Sequence, residues 1–124
     1  MAKKLKNILV NHLHDKQLLK YARDYLSGYL VDIGCSIKPY KKMLSPFVIK
    51  HTGVDHAATA HDKSNIDILG SAYNIPSDHN SFDSAICTAV LEHLEEPEQA
   101  LRECCRVLKP GGIAIYSVPF IWHL

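Results

Sequence analysis

The sequence predicts an α/β domain in which a mostly parallel sheet of about five strands lies between layers of helices, as a three-layer sandwich. Short apolar runs alternate with helical segments along the chain, which is typical of parallel strands joined by helical crossovers. The run LVDIG at residues 30–34 reads as a buried strand that ends in a glycine turn. Because 124 residues suffice for one substantial core, we expect a single domain.

The N-terminal residues 1–28 are predicted to be helical. We expect one helix over 3–13 and a second over 15–27, with Asp15 as the N-cap of the second and Gly28 ending it. Lysines alternate with apolar residues at the start, which favours an amphipathic helix over a targeting signal. The predicted apolar stripe of the second helix consists of Leu18, Ala22, Tyr25 and Tyr29.

The remaining elements follow from apolar runs bounded by turn residues. Strands are predicted over 30–33, 48–54, 66–69, 83–87 and 113–118. A brief helix over 38–44 is stopped by Pro46, and the clearest helix spans 95–109 with Pro97 in its first turn. Residues 110–112, Pro-Gly-Gly, are expected to turn the chain into the fifth strand. The buried face of the clearest helix is predicted to carry Leu101, Cys104, Cys105 and Leu108.

Composition and charge argue against several classes of function. The formal net charge is +1, so no global signal favours nucleic acid or an anionic membrane. No apolar run approaches the length that spans a membrane. The four cysteines lack CxxC spacing, and we expect reduced, mostly buried thiols and no metal site. A cytoplasmic enzyme or binding domain is the expectation.

Residues that follow the first two strands predict a cofactor site. In open parallel sheets, ligands bind beyond the carboxyl ends of the strands, near the point where strand order reverses. Asp32, Gly34, Cys35 and Ser36 end the first strand, and Asp55 ends the second. Asp55 follows the glycine at about the spacing of roughly twenty residues at which an acid binds ribose hydroxyls. This pattern favours an adenosine-containing cofactor, and the alternative is a structural turn followed by a helix-capping aspartate.

The last third of the chain carries a resemblance to a known family. Residues 81–112, SFDSAICTAVLEHLEEPEQALRECCRVLKPGG, resemble the fourth-strand region of class I S-adenosylmethionine-dependent methyltransferases, and the methyltransferase type 11 group most closely. Upstream, VDIGC at 31–35, GVDH at 53–56 and GSAYNIP at 70–76 are similar to the loops after the first three strands of that family. The resemblance extends over about 29–120 and implies a Rossmann-like fold with S-adenosylmethionine as the cofactor.

The resemblance also implies a set of site residues. His93 is the only candidate base near the expected crevice, and structural packing of its ring is the alternative; no catalytic residue is otherwise assigned. The methyl acceptor, a small molecule or another group, is not identified. The residues expected to bind the cofactor are Asp32, Gly34, Cys35, Ser36, Asp55, His56, Ser71, Ala72, Thr88 and Ala89.

Two positions depart from the family pattern. Ser36 stands where the family has glycine, although the following Lys-Pro-Tyr run at 38–40 matches a variant found in some members. A positive φ at Ser36 would cost about 1 kcal/mol. Ser71 stands where relatives usually carry an acid that bonds the adenine amino group, and its hydroxyl is expected to accept that bond less strongly.

The end of the chain raises a further expectation. The family sheet continues beyond the fifth strand, whereas this sequence ends at IWHL, so residues 29–124 read as a C-terminally truncated cofactor-binding core that lacks the usual last strands. Such a chain is expected to form a homodimer through strand five or its apolar tail and to transfer little methyl by itself. The rival functions are a non-catalytic S-adenosylmethionine-binding or remnant domain and a nicotinamide-dependent oxidoreductase, which the missing glycines disfavour.

Overall fold

Five parallel strands form the sheet of the computed structural model, which describes residues 2–56, 63–88 and 90–118, with side chains from residue 14 onward. The strand order is β3-β2-β1-β4-β5, and every pairing is parallel. The prediction of a mostly parallel α/β sheet of about five strands is confirmed, and the first strand lies at its centre. The strands are β1 (Tyr29–Ile33), β2 (Lys50–Asp55), β3 (Ile68–Leu69), β4 (Phe82–Thr88) and β5 (Leu108–Ser117).

Helices cover both faces of this sheet. They are α1 (Ala2–Tyr25), α2 (Lys41–Leu44) and α3 (Pro97–Val107), with single 3-10 turns at Ser45–Phe47 and Leu91–His93. The crossovers from β1 to β2 and from β4 to β5 run in opposite directions along the sheet. Right-handed crossovers therefore place α2 and α3 on opposite faces, which produces three layers.

Each face has its own apolar core. On one face Leu44 of α2 and Ala22 of α1 pack in a buried cluster with Leu30 and Ile86. On the other face α3 contributes to a second cluster, whose buried members are Val31, Ile33, Val54, Ile75, Phe82, Ala85, Cys87, Cys104, Val107 and Leu108. In β1, Leu30 belongs to the first cluster, and Val31 and Ile33 belong to the second. β1 is therefore buried on both faces, as expected for a central parallel strand.

The N-terminal segment differs from the prediction in two ways. It forms one continuous helix, Ala2–Tyr25, and Asp15 lies inside that helix rather than capping a second one. The sequence over 2–25 contains no glycine or proline to interrupt the backbone hydrogen bonds. The buried stripe is Leu18, Ala22 and Leu26, whereas Tyr25 and Tyr29 are 49% and 46% exposed.

The prediction for the last helix and strand is also corrected. The buried face of α3 consists of Ala100, Cys104 and Val107, which follow the helical period. Leu101 and Cys105 point to solvent. β5 begins at Leu108, so the Pro-Gly-Gly run lies within the strand, opposite an irregular register beside Phe82 and Ser84. Gly111, with φ of 82°, accommodates this irregularity.

Three elements are shorter than predicted: α2, β2 and β3. The helix begins at Lys41, β2 begins at Lys50 and β3 contains two residues.

All four cysteines are free, and three of them are buried: Cys35, Cys87 and Cys104. None of the helices in the described ranges is long and apolar enough to cross a membrane.

Candidate functional site

A cavity of about 460 Å³ opens at the carboxyl edge of the sheet. It lies where Gly34 follows β1, Asp55 ends β2, Gly70 follows β3 and Val90 follows β4. The chain proceeds from β1 in one direction to β2 and β3, and from β4 in the other direction to β5. The cavity therefore lies at the switch point, where open α/β sheets bind their ligands. Six of the predicted site residues line it: Gly34, Ser36, Asp55, His56, Ser71 and Ala72.

The loop after β1 makes a tight left-handed turn against the end of β2. Gly34 has φ of 73°, and a Cβ at this position would come within 2.5 Å of Val90 Cγ2. The N–H groups of Gly34 and Cys35 both donate to the carbonyl oxygen of Val54, at 2.8 and 3.1 Å. Ser36 and Lys38 also have positive φ, at 49° and 52°. Two residues with a Cβ thus adopt a conformation that glycine adopts more easily.

The carboxylate of Asp55 connects this loop to the end of β2. Its Oδ2 accepts the N–H of Ser36 at 3.0 Å, and its Oδ1 accepts the N–H of His56 at 2.8 Å. The Asp55 side chain is 11% exposed. A carboxylate offers about four lone-pair sites, so each oxygen has the capacity for one more hydrogen bond, although His56 Nε2 also lies 3.8 Å from Oδ1. That capacity matches a pair of vicinal hydroxyl donors.

Lys38 supports the loop from below. Its side chain is 5% exposed, and Nζ donates to the carbonyl oxygen of His51 at 2.9 Å and to Asp67 Oδ2 at 2.7 Å. The same Asp67 oxygen accepts the N–H of Gly53 at 2.7 Å. Although partial burial opposes it, the bonds from Gly53 and Lys38 hold the pKa of Asp67 below its ordinary value. The Lys38 and Asp67 side chains thus form hydrogen bonds with the backbone of β2, at His51 and Gly53.

Three predicted site residues lie outside the cavity lining, and Ala89 lies outside the described residues. The Asp32 side chain is 4% exposed, and its Oδ2 lies 2.7 Å from Nε2 of His51, whose side chain is 6% exposed. Thr88 ends β4 in register with Ser117 of β5.

The third, Cys35, points away from the cavity. The turn at Gly34 directs its Sγ towards the carbonyl oxygen of Asn65, at 3.8 Å. Burial, together with the charges of Asp32 and Asp55, raises the pKa of the Cys35 thiol to about 12. The Cys35 thiol therefore stays protonated, packs beneath the loop on the side away from the cavity and does not act as a nucleophile towards a ligand there.

The segment after β3 forms the opposite wall. Ser71 and Asn74 pair in a short antiparallel bridge, and Ser71 Oγ accepts the N–H of Tyr73 and of Asn74 at 3.2 and 3.1 Å. Tyr73 lines the cavity, and its hydroxyl oxygen accepts the N–H of Glu96 at 3.1 Å. Tyr73, Val90 and Leu94 also line the cavity and are not among the predicted site residues. Their position directly after β3 and β4 is the only signal that would have identified them.

Glu103 and Arg106 of α3 form hydrogen bonds with the backbone of the segment after β3. Glu103 Oε2 accepts the N–H of the buried Ile75 at 2.6 Å. Arg106 donates to Glu103, to the carbonyl oxygen of Ile75 at 2.8 Å and to that of Ser77 at 2.9 Å. The hydrogen bond from Arg106, opposed by partial burial, lowers the pKa of Glu103. The Glu103–Arg106 clamp therefore holds the segment that follows Ser71 in place.

His93 faces the cavity from the turn after β4. Its side chain is 77% exposed, and its Nε2 lies 3.5 Å from Glu92 Oε1. The ring is therefore accessible to a ligand and not packed in the core.

In the part of the chain with described side chains, no three His, Cys, Asp or Glu side chains are grouped to hold a metal ion.

Comparison with known sequences identifies a family. The model of the family described as methyltransferase domain matches residues 31–116, which is more than half of the chain. A ubiquinone biosynthesis O-methyltransferase of Alkalilimnicola ehrlichii is 27% identical over 122 residues, covering 85% of this chain and 49% of that protein. A demethylmenaquinone methyltransferase of Paenarthrobacter aurescens is 44% identical over 57 residues, covering 44% of this chain and 22% of that protein.

Comparison with solved structures agrees. A SAM-dependent methyltransferase of Thermotoga maritima has a TM-score of 0.68 at 27% identity, with 93% of this chain and 56% of that one covered. The chain spans about half the length of the curated relatives it matches. The chain belongs to the methyltransferase domain family, within the class I S-adenosylmethionine-dependent methyltransferases of the type 11 group that its motifs resemble.

Proposed function

We propose that this chain holds S-adenosylmethionine in the cavity at the carboxyl edge of the sheet and forms the cofactor-binding part of a methyltransferase. One observation carries the proposal. The Asp55 carboxylate borders the cavity beside the loop after β1, and each of its oxygens can accept one more hydrogen bond. An acid in this place binds ribose hydroxyls in doubly wound folds. The cavity volume also falls within the range of small-molecule and cofactor sites.

The chemistry that follows requires placement more than acid–base groups. When bound, the cofactor would supply an electrophilic sulfonium methyl group, whose in-line transfer depends on how the acceptor is placed. Asp55 would hold the ribose hydroxyls, and the loop that begins at Gly34 would lie beside the methionine end. His93 is the candidate base that takes the acceptor's proton where the acceptor must lose one.

Two features of the chain support this proposal over its rivals. A dinucleotide would need glycines at which the pyrophosphate approaches the backbone, and Ser36 and Lys38 occupy that part of the loop. The family match covers residues 31–116, from within the first strand into the fifth. We also propose a cytoplasmic location, supported by the four free cysteines. The acceptor is left unassigned.

Calorimetric titration tests the proposal. The full chain is titrated with S-adenosylmethionine, S-adenosylhomocysteine and NAD in parallel. We expect both S-adenosyl compounds to bind with one site per chain and NAD to give no heat of binding. Binding of NAD alone would instead support the oxidoreductase reading, and binding of none of the three would overturn the proposal.

A further inference from the structure

A recess of about 150 Å³ lies between α1 and the end of β5, and it shares no lining residue with the larger cavity described above. Leu18 and Tyr21 line this space from the helix, and Ile115 and Ser117 line it from the strand. Ile115 also packs against the buried cluster of α1 and α2, so the space is on that face of the sheet. His14 of α1 completes its polar lining with a glutamine. We call it the α1–β5 recess.

The imidazole of His14 uses one of its two nitrogens in a network with Asp15 and Tyr40. Its Nδ1 lies 3.4 Å from Asp15 Oδ1 and 3.3 Å from the hydroxyl oxygen of Tyr40. Tyr40 also forms a side-chain hydrogen bond with Asp15. Burial, together with the Asp15 carboxylate, raises the pKa of Tyr40. The tyrosine therefore keeps its proton and donates it in a hydrogen bond to the aspartate.

This network determines which nitrogen of the neutral imidazole carries the proton. An ionised carboxylate can only accept a hydrogen bond, and the Tyr40 proton is already directed at Asp15. Both partners of Nδ1 are thus acceptors, so the proton lies on Nδ1 and the lone pair lies on Nε2. Among the described residues Nε2 has no hydrogen-bond partner, and it is not shielded from solvent. His14 therefore offers the α1–β5 recess one accessible acceptor.

The remaining lining restricts the class of ligand that fits. In the described part of the chain, no carboxylate, lysine or arginine lines the α1–β5 recess. A charged ligand would lose hydration there without meeting an opposite charge. A volume of about 150 Å³ is enough for a single benzene-sized ring. Leu18, Tyr21 and Ile115 supply the apolar and aromatic surface against which such a ring packs.

We propose that the α1–β5 recess binds a small neutral ring that carries a hydroxyl group, and that this hydroxyl donates a hydrogen bond to His14 Nε2. The apolar walls hold the ring, and the single acceptor selects a ring that can donate. Asp15 and Tyr40 are positioning residues, since they act through the tautomer of His14. The ligand is a second molecule, so the inference does not rest on binding of S-adenosylmethionine.

Three probes separate the parts of this proposal: phenol, toluene and benzoate. Toluene has the shape of phenol without the hydroxyl group, and benzoate carries a charge. Each probe is titrated into the full chain, labelled with ¹⁵N at histidine, and followed by NMR at about pH 8, where an ordinary imidazole is neutral. The same spectra report which nitrogen of His14 carries the proton before any probe is added.

Four variants locate the site. His14→Phe keeps a ring and removes the acceptor, and His79→Phe alters an exposed histidine between β3 and β4 as its control. Gln17→Trp fills the α1–β5 recess from an exposed lining position, and Lys16→Trp places the same bulk on the adjacent exposed residue, outside the lining. Thermal melts establish that each variant is folded.

For the wild-type chain we expect the proton on Nδ1 of His14 and a phenol-dependent shift of its Nε2 resonance. Phenol should bind about five- to tenfold more tightly than toluene, the value of one hydrogen bond, and benzoate should not bind. The preference for phenol should vanish in His14→Phe and persist in His79→Phe. Gln17→Trp should abolish binding of phenol and toluene alike, whereas Lys16→Trp should bind both as wild type does.

Equal affinity of the wild-type chain for phenol and toluene would overturn the inference, as would a proton on Nε2 of His14. A preference for phenol that survives in His14→Phe would also overturn it, because a histidine that only ties α1 to Tyr40 would not create that preference. Binding of phenol that persists in Gln17→Trp would place the ligand elsewhere and refute the site. None of these outcomes involves the cofactor, so the proposed function is tested separately.

Discussion

Asp55 Oδ2 accepts the backbone N–H of Ser36 at 3.0 Å, so one carboxylate both borders the cavity and holds the adjacent loop after β1. The bond joins the end of β2 to the turn after β1, where two successive amides already donate to the Val54 carbonyl oxygen. Removing the Asp55 carboxylate should therefore affect the ligand directly and through the loop.

Asp55→Ala should weaken binding of S-adenosylhomocysteine by tens of fold. Two charge-assisted hydrogen bonds to the ribose are worth roughly 2–3 kcal/mol, and the loop loses its bond at Ser36 as well. Calorimetric titration measures the affinity, and urea unfolding establishes that the variant is folded. Asp24→Ala, an exposed carboxylate on α1, is the control and should bind like wild type. An unchanged affinity in Asp55→Ala would show that the ribose lies elsewhere.

Ser36→Gly should stabilise the chain by about 1 kcal/mol, because glycine adopts a positive φ without the strain that a Cβ imposes. Cofactor affinity should rise or stay the same. Asn80→Gly is the matched control, since Asn80 also has positive φ, at 58°, but lies outside the cavity lining. It should affect the urea midpoint and leave the affinity alone. A clear loss of affinity in Ser36→Gly would mean that the serine hydroxyl binds the ligand directly.

Lys38→Met should destabilise the chain by about 1–2 kcal/mol, since it removes a buried ammonium and leaves Asp67 without its cation. The value is modest because the Asp67 side chain is 43% exposed and solvent screens the pair. Adding Asp67→Asn should recover part of the loss, because the unpaired charge is then removed. Lys42→Met, an exposed lysine of α2, should change the unfolding free energy little. Equal losses in both lysine variants would exclude a supporting role for Lys38.

Glu103→Gln should destabilise the chain at neutral pH and not at low pH. The pKa of Glu103 lies below its ordinary value of 4.5 in the folded chain, so its ionised form stabilises the fold above that value. The stabilisation is lost as the pH falls through the folded-state pKa. Wild type and variant should differ by about 1–2 kcal/mol at pH 6 and converge as the pH falls below the folded-state pKa of Glu103.

Glu98→Gln provides the control for the Glu103 variant. Glu98 also pairs with an arginine, Arg102, at 2.6 Å, but both side chains are more than three-quarters exposed. An exposed pair contributes little, so the pH dependence of unfolding should match wild type. A constant difference between wild type and Glu103→Gln over the whole pH range would contradict the assignment of the effect to the carboxylate charge.

We propose that β5 pairs with a second copy of the chain. Among the described residues β4 is its only neighbouring strand, and Ile113 and Val118 are 39% and 41% exposed. An open edge with apolar side chains favours strand pairing; the tail beyond residue 118 lies outside the described residues. Sedimentation at low micromolar concentration should give a dimer for wild type and a monomer for Ile113→Lys. Ile49→Lys, which alters an isoleucine 78% exposed elsewhere, should stay dimeric, and a monomeric wild type would refute the proposal.

The sheet could be predicted because its strands are short apolar runs between strong turn residues, and the predicted five strands all form. Helix faces were harder, since Leu101 and Ala100 both satisfy an apolar periodicity and only packing decides that Ala100 is buried. The break predicted before Asp15 failed because a capping residue can also continue a helix.

Site residues that lie directly after a strand, such as Gly34 and Asp55, were predicted correctly to line the cavity. The positions of Asp32 and Cys35 were not, because they depend on strand register and on side-chain orientation. Gly34 and Asp55 follow their strands, so their convergence follows from a parallel sheet. The pairing of Asp32 with His51 depends on the register between β1 and β2, which sequence does not state. The thiol of Cys35 is turned inward by the backbone angle at Gly34, and this angle cannot be read from residue identity.

The order of the strands also sets the order in which the molecule can assemble during synthesis. β1 can pair with β2 early, but its other neighbour comes much later: Asp83, whose carboxylate accepts the N–H of Tyr29, lies 54 positions along the chain. Contacts so distant form slowly because the intervening chain must first be ordered. The wall that contains Val90 and His93 follows β4. On a ribosome, the residues of the half that carries Asp55 therefore emerge before those of the half that closes it, and the cavity can be complete only in a chain that has emerged past its fourth strand.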